Sequence, residues 1–173
     1  MRHAVTIRRA RLSDAPGLSR LLALTWRKAF GDLLSARSMR EVSRRWHGAP
    51  HLEGQIRDPK CYFGVAQSPR GRILGLTTVR RTSPTAAFMH RLYVRPGCQG
   101  LGLGETLLEA GWAAFPGLRR MRLEVLAGNA KALAFYRKHG FRKMGRKRVP
   151  VLDEALDLRV MEKRLTVRRS SRG

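Results

Sequence analysis

Residues 98–108 read Cys-Gln-Gly-Leu-Gly-Leu-Gly-Glu-Thr-Leu-Leu, three alternate glycines directly ahead of an apolar run. Glycine at every second position disfavours both helix and strand, so Gly100, Gly102 and Gly104 mark a loop in which the backbone itself approaches a ligand closely. The apolar run reads as a helix, expected over about 103–114, with Leu103, Leu107, Ala110 and Ala114 on one face. The first N–H groups of a helix lack intrahelical partners and carry the positive end of its dipole. A glycine loop feeding such an end is a cradle for an anion, phosphate above all.

Two common phosphate loops do not fit. A nucleoside-triphosphate loop needs Lys-Ser/Thr after the last glycine, and Gly104 is followed by Glu105-Thr106. A dinucleotide fingerprint needs its glycines straight after a strand, with an acid about 20 residues on. Glu124 stands at that distance, but Arg95-Pro96-Gly97-Cys98-Gln99 separates strand from glycines, and positions 105 and 107 are Glu and Leu.

Around the loop, hydrophobic periodicity lays out the rest. VTIRRA (5–10) reads as a strand, and Ser13-Asp14 with Pro16 opens a helix in which Leu18, Leu21, Leu22 and Trp26 recur at helical spacing. A second helix is expected over 35–47. The stretch from Gly48 to Lys60, with Pro50, Gly54 and Pro59, reads as a connection. Three strands come next, CYFGVAQ, RILGLTTVRR and AAFMHRLYV, the first two joined as a hairpin through SPRG. After the glycine loop and its helix come the strand MRLEVLA (121–127) and the helix NAKALAFYRKHGF, capped by Asn129 and stopped at Gly140-Phe141. Strands around FRKMGRKRVPV and ALDLRVMEKRL complete the order, which predicts an α/β (α+β) protein with a mixed sheet and helices on both faces. The expectation is one domain over 1–165 and a frayed basic tail over 166–173.

Gln99-x-x-Gly102-x-Gly104 resembles the Q/R-x-x-G-x-G/A pyrophosphate loop of the GNAT acetyltransferase superfamily. The resemblance extends over LYVRPGCQGLGLGETLL (92–108), which is similar to that family's strand, turn, loop and helix. LEVLAGNAKALAFYRKHGF (123–141) is similar to its second block of strand, Asn, helix, Tyr and terminal Gly-Phe; RRARLSDAPGLSRLL matches the usual opening more loosely. Two ordered blocks this close together make a specific signal. The resemblance implies a mostly antiparallel sheet of about seven strands and acetyl-CoA as cosubstrate, without a metal. It places the cosubstrate on Leu92, Tyr93 and Val94 of the strand, on Gln99, Gly100, Leu101, Gly102, Leu103, Gly104 and Glu105 of the loop, and on Asn129, Ala132, Phe135 and Tyr136 of the later helix.

Acetyl transfer from a thioester needs a neutral amine and a proton for the departing thiolate. In the family the tyrosine at the place of Tyr136 is the usual acid to the CoA sulfur, and the asparagine at the place of Asn129 contacts the CoA arm. The two residues lie seven apart, about two helical turns, and so near one face. Asn129 also suits a plain N-cap, and Tyr136 also suits packing beside Phe135. Many relatives carry a basic Glu on the strand before the loop, where this chain has Phe88-Met89-His90-Arg91-Leu92. Strand alternation puts Phe88, His90 and Leu92 on one face. Two candidates for the base stay open, His90 and, on the next strand, Glu124 acting through a water; either residue also suits a structural role. Trp26, Phe30 and Trp46 fall in the region that shapes the acceptor pocket in the family. Arg95, Lys131, Arg137 and Lys138 are candidates for the CoA 3′-phosphate or for a solvated basic face.

The chain carries 36 Lys+Arg against 12 Asp+Glu, a formal charge of +24 over 173 residues. Such a field concentrates anions and repels polycations. No Asp or Glu occurs between Asp58 and Glu105. Cys61 and Cys98 form no metal-ligand set, and there is neither a signal-peptide pattern nor a long apolar run, so a cytoplasmic protein away from membranes is expected. The resulting reading is an N-acetyltransferase acting directly, in a ternary complex, on a primary amine of a small molecule or peptide. Alternatives are acetylation of the terminus of a ribosomal or other nucleic-acid-associated protein, and a basic RNA-binding module, which lacks the usual aromatic or GXXG signatures. A homodimer is the further partner alternative.

Overall fold

A computed structural model describes residues 5–165. The elements run β1 (Thr6–Arg9), a 3-10 turn (Leu12–Asp14), α1 (Ala15–Phe30), α2 (Ala36–Trp46), α3 (Ala49–Arg57), β2 (Cys61–Gln67), β3 (Ile73–Ser83), β4 (Ala86–Val94), α4 (Leu103–Ala113), β5 (Arg120–Leu126), α5 (Ala130–Lys138), β6 (Arg142–Val151) and β7 (Glu154–Arg164). The strands form one sheet in the order β1-β2-β3-β4-β5-β7-β6. Neighbours pair antiparallel except β4 and β5, which run parallel.

Each helix sits where its apolar stripe finds the sheet. Leu18, Leu21 and Leu22 of α1 and Leu52 of α3 bury against Phe63, Val65, Ile73 and Leu76 of β2 and β3. On the other side, Leu108 of α4 and Leu133 and Tyr136 of α5 pack with Val79, Met89, Met121, Leu123 and Met161. A third cluster joins Phe30 and Leu34, Val42 of α2, and Val151 and Leu156 of the β6–β7 hairpin. Within α4 the buried stripe is Leu103, Leu107, Leu108 and Gly111. Gly111 lets the helix come down onto β3, since a Cβ there would lie 2.8 Å from Val79 Cγ2.

Two sequence expectations are corrected. The stretch 48–60 is largely helix α3: Gly48 is its N-cap and Pro50 falls in its first turn, where a missing N–H costs nothing. Leu52 is fully buried and Ile56 packs beside it, an i, i+4 pair that holds nine residues too few to be helical alone. Secondly, β4 does not alternate cleanly. Thr78 pairs with Arg91 and Val79 with Met89, so His90 is an extra, unpaired residue, a β-bulge. The bulge moves Leu92 to the face of Met89, where both pack on the α4–α5 side. Phe88 and His90 remain neighbours, ring centroids 4.8 Å apart. The expected basic tail, 166–173, lies outside the described residues.

Candidate active site

The bulge decides the site. β4 and β5 pair only from Ala86↔Arg120 to Met89↔Leu123, and beyond that point the strands separate. The backbone edge of β4 that faces β5 is thereby left without its ladder partner, which a folded chain tolerates only where water or a ligand takes the place. The fork opens into a cleft of about 680 Å³ that runs from α1 to the glycine loop and α5.

At one end stands the loop. Gly100 and Gly102 hold φ of +80° and +79°, and a Cβ on either would project into open space. Gly102 is the N-cap of α4. The helix's first internal bond runs from Thr106 N–H to Gly102 O at 3.1 Å, so the N–H groups of Leu103, Gly104 and Glu105 have no acceptor among the described residues. Three free donors behind an open concavity fit a diphosphate. Lys131 of α5 fixes the loop through Nζ to Gln99 Oε1 at 3.1 Å. Gly104 is ordinary helix; a Cβ there would merely touch Phe135.

The walls carry most of the side chains expected from the sequence. Leu92, Tyr93 and Val94 of β4, Gln99, Gly100, Gly102, Leu103, Gly104 and Glu105 of the loop, and Asn129, Ala132, Phe135 and Tyr136 of α5 all border the cleft, as do His90 and Glu124. Leu101 does not; its side chain is 71% exposed and turned away. Asn129 caps α5, its Oδ1 accepting from Ala132 N–H at 3.0 Å. Of the four further cations, Lys131 and Lys138 border the cleft, Arg137 Nε donates to Leu133 O, and Arg95 Nε donates to Ile73 O.

Tyr136 is buried and its hydroxyl makes no hydrogen bond among the described residues. Burial first, then Tyr93, raises its pKa above the ordinary 10, so the phenol stays protonated and able to donate over the whole physiological range. His90 and Glu124 stand just past the last paired positions, at the crotch of the fork. The residue His90 is exposed, yet loss of water around the ring, then the charges of Arg91 and Arg80, lower its pKa to about 4. It is therefore neutral at pH 7 and a weak base. Glu124 is ionically paired to Lys147 of β6, Nζ to Oε1 at 2.8 Å.

Sequence reasoning missed part of the wall. Thr25, Lys28 and Ala29 of α1 and His139 after α5 also border the cleft. His139 Nδ1 meets Phe135 O at 2.8 Å, and its Nε2 lies 3.3 Å from Glu105 Oε1. The i, i+3 spacing of Tyr136 and His139 was the available signal. Trp26, stacked on Phe30 at 4.2 Å between centroids, and Trp46 pack on the third apolar cluster, so they back the cleft wall rather than line it. Among the described residues no group of three His, Cys, Asp or Glu could hold a metal ion, and no helix is long and apolar enough to cross a membrane.

The sequence pattern of the acetyltransferase (GNAT) family matches residues 19–141, and the chain belongs to that family. Acetyl-CoA is accordingly its cosubstrate. Solved structures agree in fold. The PaiA N-acetyltransferase of Thermoplasma acidophilum, in complex with coenzyme A, is 21% identical with a TM-score of 0.80, covering 94% of this chain and 99% of that one. A GNAT-family acetyltransferase of Staphylococcus aureus Mu50 is 17% identical, TM-score 0.75, over 94% and 100% of the two chains. The ribosomal-protein-S18-alanine N-acetyltransferase of Escherichia coli is 20% identical, TM-score 0.70, over 98% and 99%. Among proteins of curated function, none matches this sequence.

Proposed function

We propose that this protein transfers the acetyl group of acetyl-CoA to a primary amine of a small molecule or peptide, directly and within a ternary complex, by residues 1–165 acting as one domain in the cytoplasm. The observation that carries the reading is one cleft with an anion cradle at one end, unpaired strand edges in the middle and the protonated Tyr136 on its border. Acetyl-CoA supplies an acyl carbon already activated as a thioester. Gln99 to Glu105 hold its pyrophosphate, the free edge of β4 at Leu92, Tyr93 and Val94 takes its amide arm, and Asn129, Ala132 and Phe135 flank that arm. Tyr136 donates its proton to the leaving sulfur.

The amine must lose a proton before or during attack. Glu124, through a water, suits that role better than His90, because a group of pKa about 4 on an imidazole takes a proton from an ammonium poorly. Among the described residues no nucleophile stands beside a base in the cleft, which favours direct transfer over a covalent acyl-enzyme. Two measurements test the reading. Acetyl-CoA at about 100 times its Kd should raise thermal stability by about 2.7 kcal/mol, and a panel of amines, amino acids and peptides should include acceptors that release free thiol. Absence of the first removes the cosubstrate assignment from this cleft; thiol release only by hydrolysis removes the amine.

A further inference from the structure

We propose that the guanidinium of Arg91, a residue that borders the cleft, binds a carboxylate or comparable oxyanion carried by the amine acceptor. The inference rests on the acetyl-transfer reading and adds the chemical class of acceptor to it.

Arg91 comes directly after the bulge residue, and its side chain turns toward α2 and α3. Nη1 donates to Gln55 Oε1 at 2.7 Å and Nη2 to Trp46 O at 3.0 Å. Both acceptors are neutral, so the hydrogen bonds orient the guanidinium and leave its charge uncompensated. The nearby carboxylates are engaged elsewhere: Asp58 with Arg80, and Glu124 with Lys147. No carboxylate among the described residues pairs with Arg91. The histidines around it supply no negative charge either. His47, His51 and His90 all feel Arg91, and each has its pKa lowered, by loss of water first and by that cation next. They are neutral rings able to donate N–H bonds. His47 is 2% exposed, and its Nδ1 has no hydrogen-bond partner among the described residues.

A cation short of water and without a counter-ion is costly, as is a buried ring nitrogen left unpaired beside it. An incoming oxyanion supplies the missing counter-ion. Arginine presents a planar fork of donors matched to a carboxylate, and two of its five N–H donors are used here. The position also suits catalysis. Tyr93, two residues on along the same strand, borders the same cleft as Arg91 and Tyr136. An acceptor anchored by its oxyanion at Arg91 lays its amine along Tyr93 toward the acetyl group. α-Amino acids, their derivatives and short amino-phosphonates have that layout.

The test uses full-length protein saturated with CoA, so that the glycine loop is filled and cannot be the site that responds. N-acetylglycine, N-acetylalanine, N-acetylphenylalanine and an N-acetylated dipeptide are titrated beside their C-terminal amides, with calorimetry or Trp26 and Trp46 fluorescence as the readout. The acids should bind about 10- to 100-fold tighter than the amides, the range of a charge-assisted hydrogen-bonded pair. Arg91→Gln should erase that preference while CoA affinity stays within about twofold of wild type, and Arg91→Lys should keep part of it. If no acid binds more tightly than its amide to the wild-type protein, the proposal is wrong, whatever the variants do. It is equally wrong if a folded Arg91→Gln retains the preference, which would leave Arg91 a staple between β4 and the helices. Failure of the acetyl-transfer reading shows separately, as no CoA binding, and the acid-against-amide comparison on free protein still decides for or against Arg91.

Discussion

At Gly102 the requirement is conformational. Its φ of +79° lies in the left-handed region, and nothing stands within 4 Å of where a Cβ would be, so a side chain is penalised by backbone strain of about 1–2 kcal/mol and by intruding on the cradle. Gly102→Val should therefore raise the Kd for acetyl-CoA by at least about tenfold in an isothermal titration; an unchanged Kd would detach the loop from the cosubstrate. Tyr136→Phe should bind acetyl-CoA normally and lower turnover by about 10- to 1000-fold, within the span of acid catalysis. Its pKa, raised above 10, keeps the acid protonated, so no basic limb below pH 10 should belong to it. The acidic limb separates the two bases. Were His90 the base, kcat/KM would fall only as pH drops through about 4, and His90→Gln would remove that step. We expect His90→Gln to leave the profile in place, and Glu124→Gln to lower the rate across it. The left-handed turn at Gly102 and the cap at Asn129 were legible from the sequence because each is fixed by its own neighbours, whereas Tyr136 was singled out by the resemblance to the family. Arg91 was not legible, since its meaning lies in Gln55 and Trp46, 36 and 45 residues away.

Among elements, the order of strands and helices could be read from periodicity, with α3 and the bulge as the exceptions. Pro50 and Gly54 resemble loop punctuation in sequence, but a proline in a helix's first turn is a start signal, and only the burial of Leu52 against the sheet distinguishes the two. The parting of β4 from β5 depends on a parallel pairing between residues 34 apart, with a whole helix between them, and no local pattern encodes it. The entry to α1 shows how ends are tied. Asp14 accepts from Arg8 Nη1 at 2.7 Å and Nη2 at 2.9 Å and from Arg11 N–H at 2.7 Å, joining β1 to the helix cap. The Arg8 hydrogen bond, ahead of the opposing effect of burial, holds the Asp14 carboxyl below its ordinary value of 3.8. A depressed native pKa means stability that is complete above the unfolded value and lost as pH falls through the native one. Asp14→Asn should thus destabilise by about 1–3 kcal/mol at pH 7, and the gap in stability should narrow as pH falls below the ordinary 3.8. A gap that does not narrow on acidification would mean that the charge contributes nothing.

For the whole molecule, +24 of formal charge has to be read together with where it lies. The outer strand β6 displays Arg142, Lys143, Arg146, Lys147 and Arg148, all exposed, while Lys28, Arg91, Lys131 and Lys138 border the cleft against Glu105 and Glu124. Glu124 is already paired. A polycation entering this cleft meets repulsion with little to offset it. Amine ionisation acts in the same direction. A side-chain-type amine of pKa about 10.4 is almost wholly ammonium at pH 7, whereas an α-amine near 7.7–8.0 is appreciably neutral. A site whose imidazole titrates at about 4 and whose carboxylate is held by Lys147 has little power to deprotonate the former. Neutral or anionic acceptors with one low-pKa amine should therefore be acetylated faster than spermidine or an aminoglycoside when kcat/KM is compared at pH 7. For an anionic acceptor, KM should rise with added salt as the field is screened to about 8 Å at physiological strength, while a neutral acceptor of the same shape should respond little. Faster acetylation of spermidine than of any α-amine would overturn this expectation, because it would require the cleft to discharge a strongly held proton and accept a trivalent cation against its own charge.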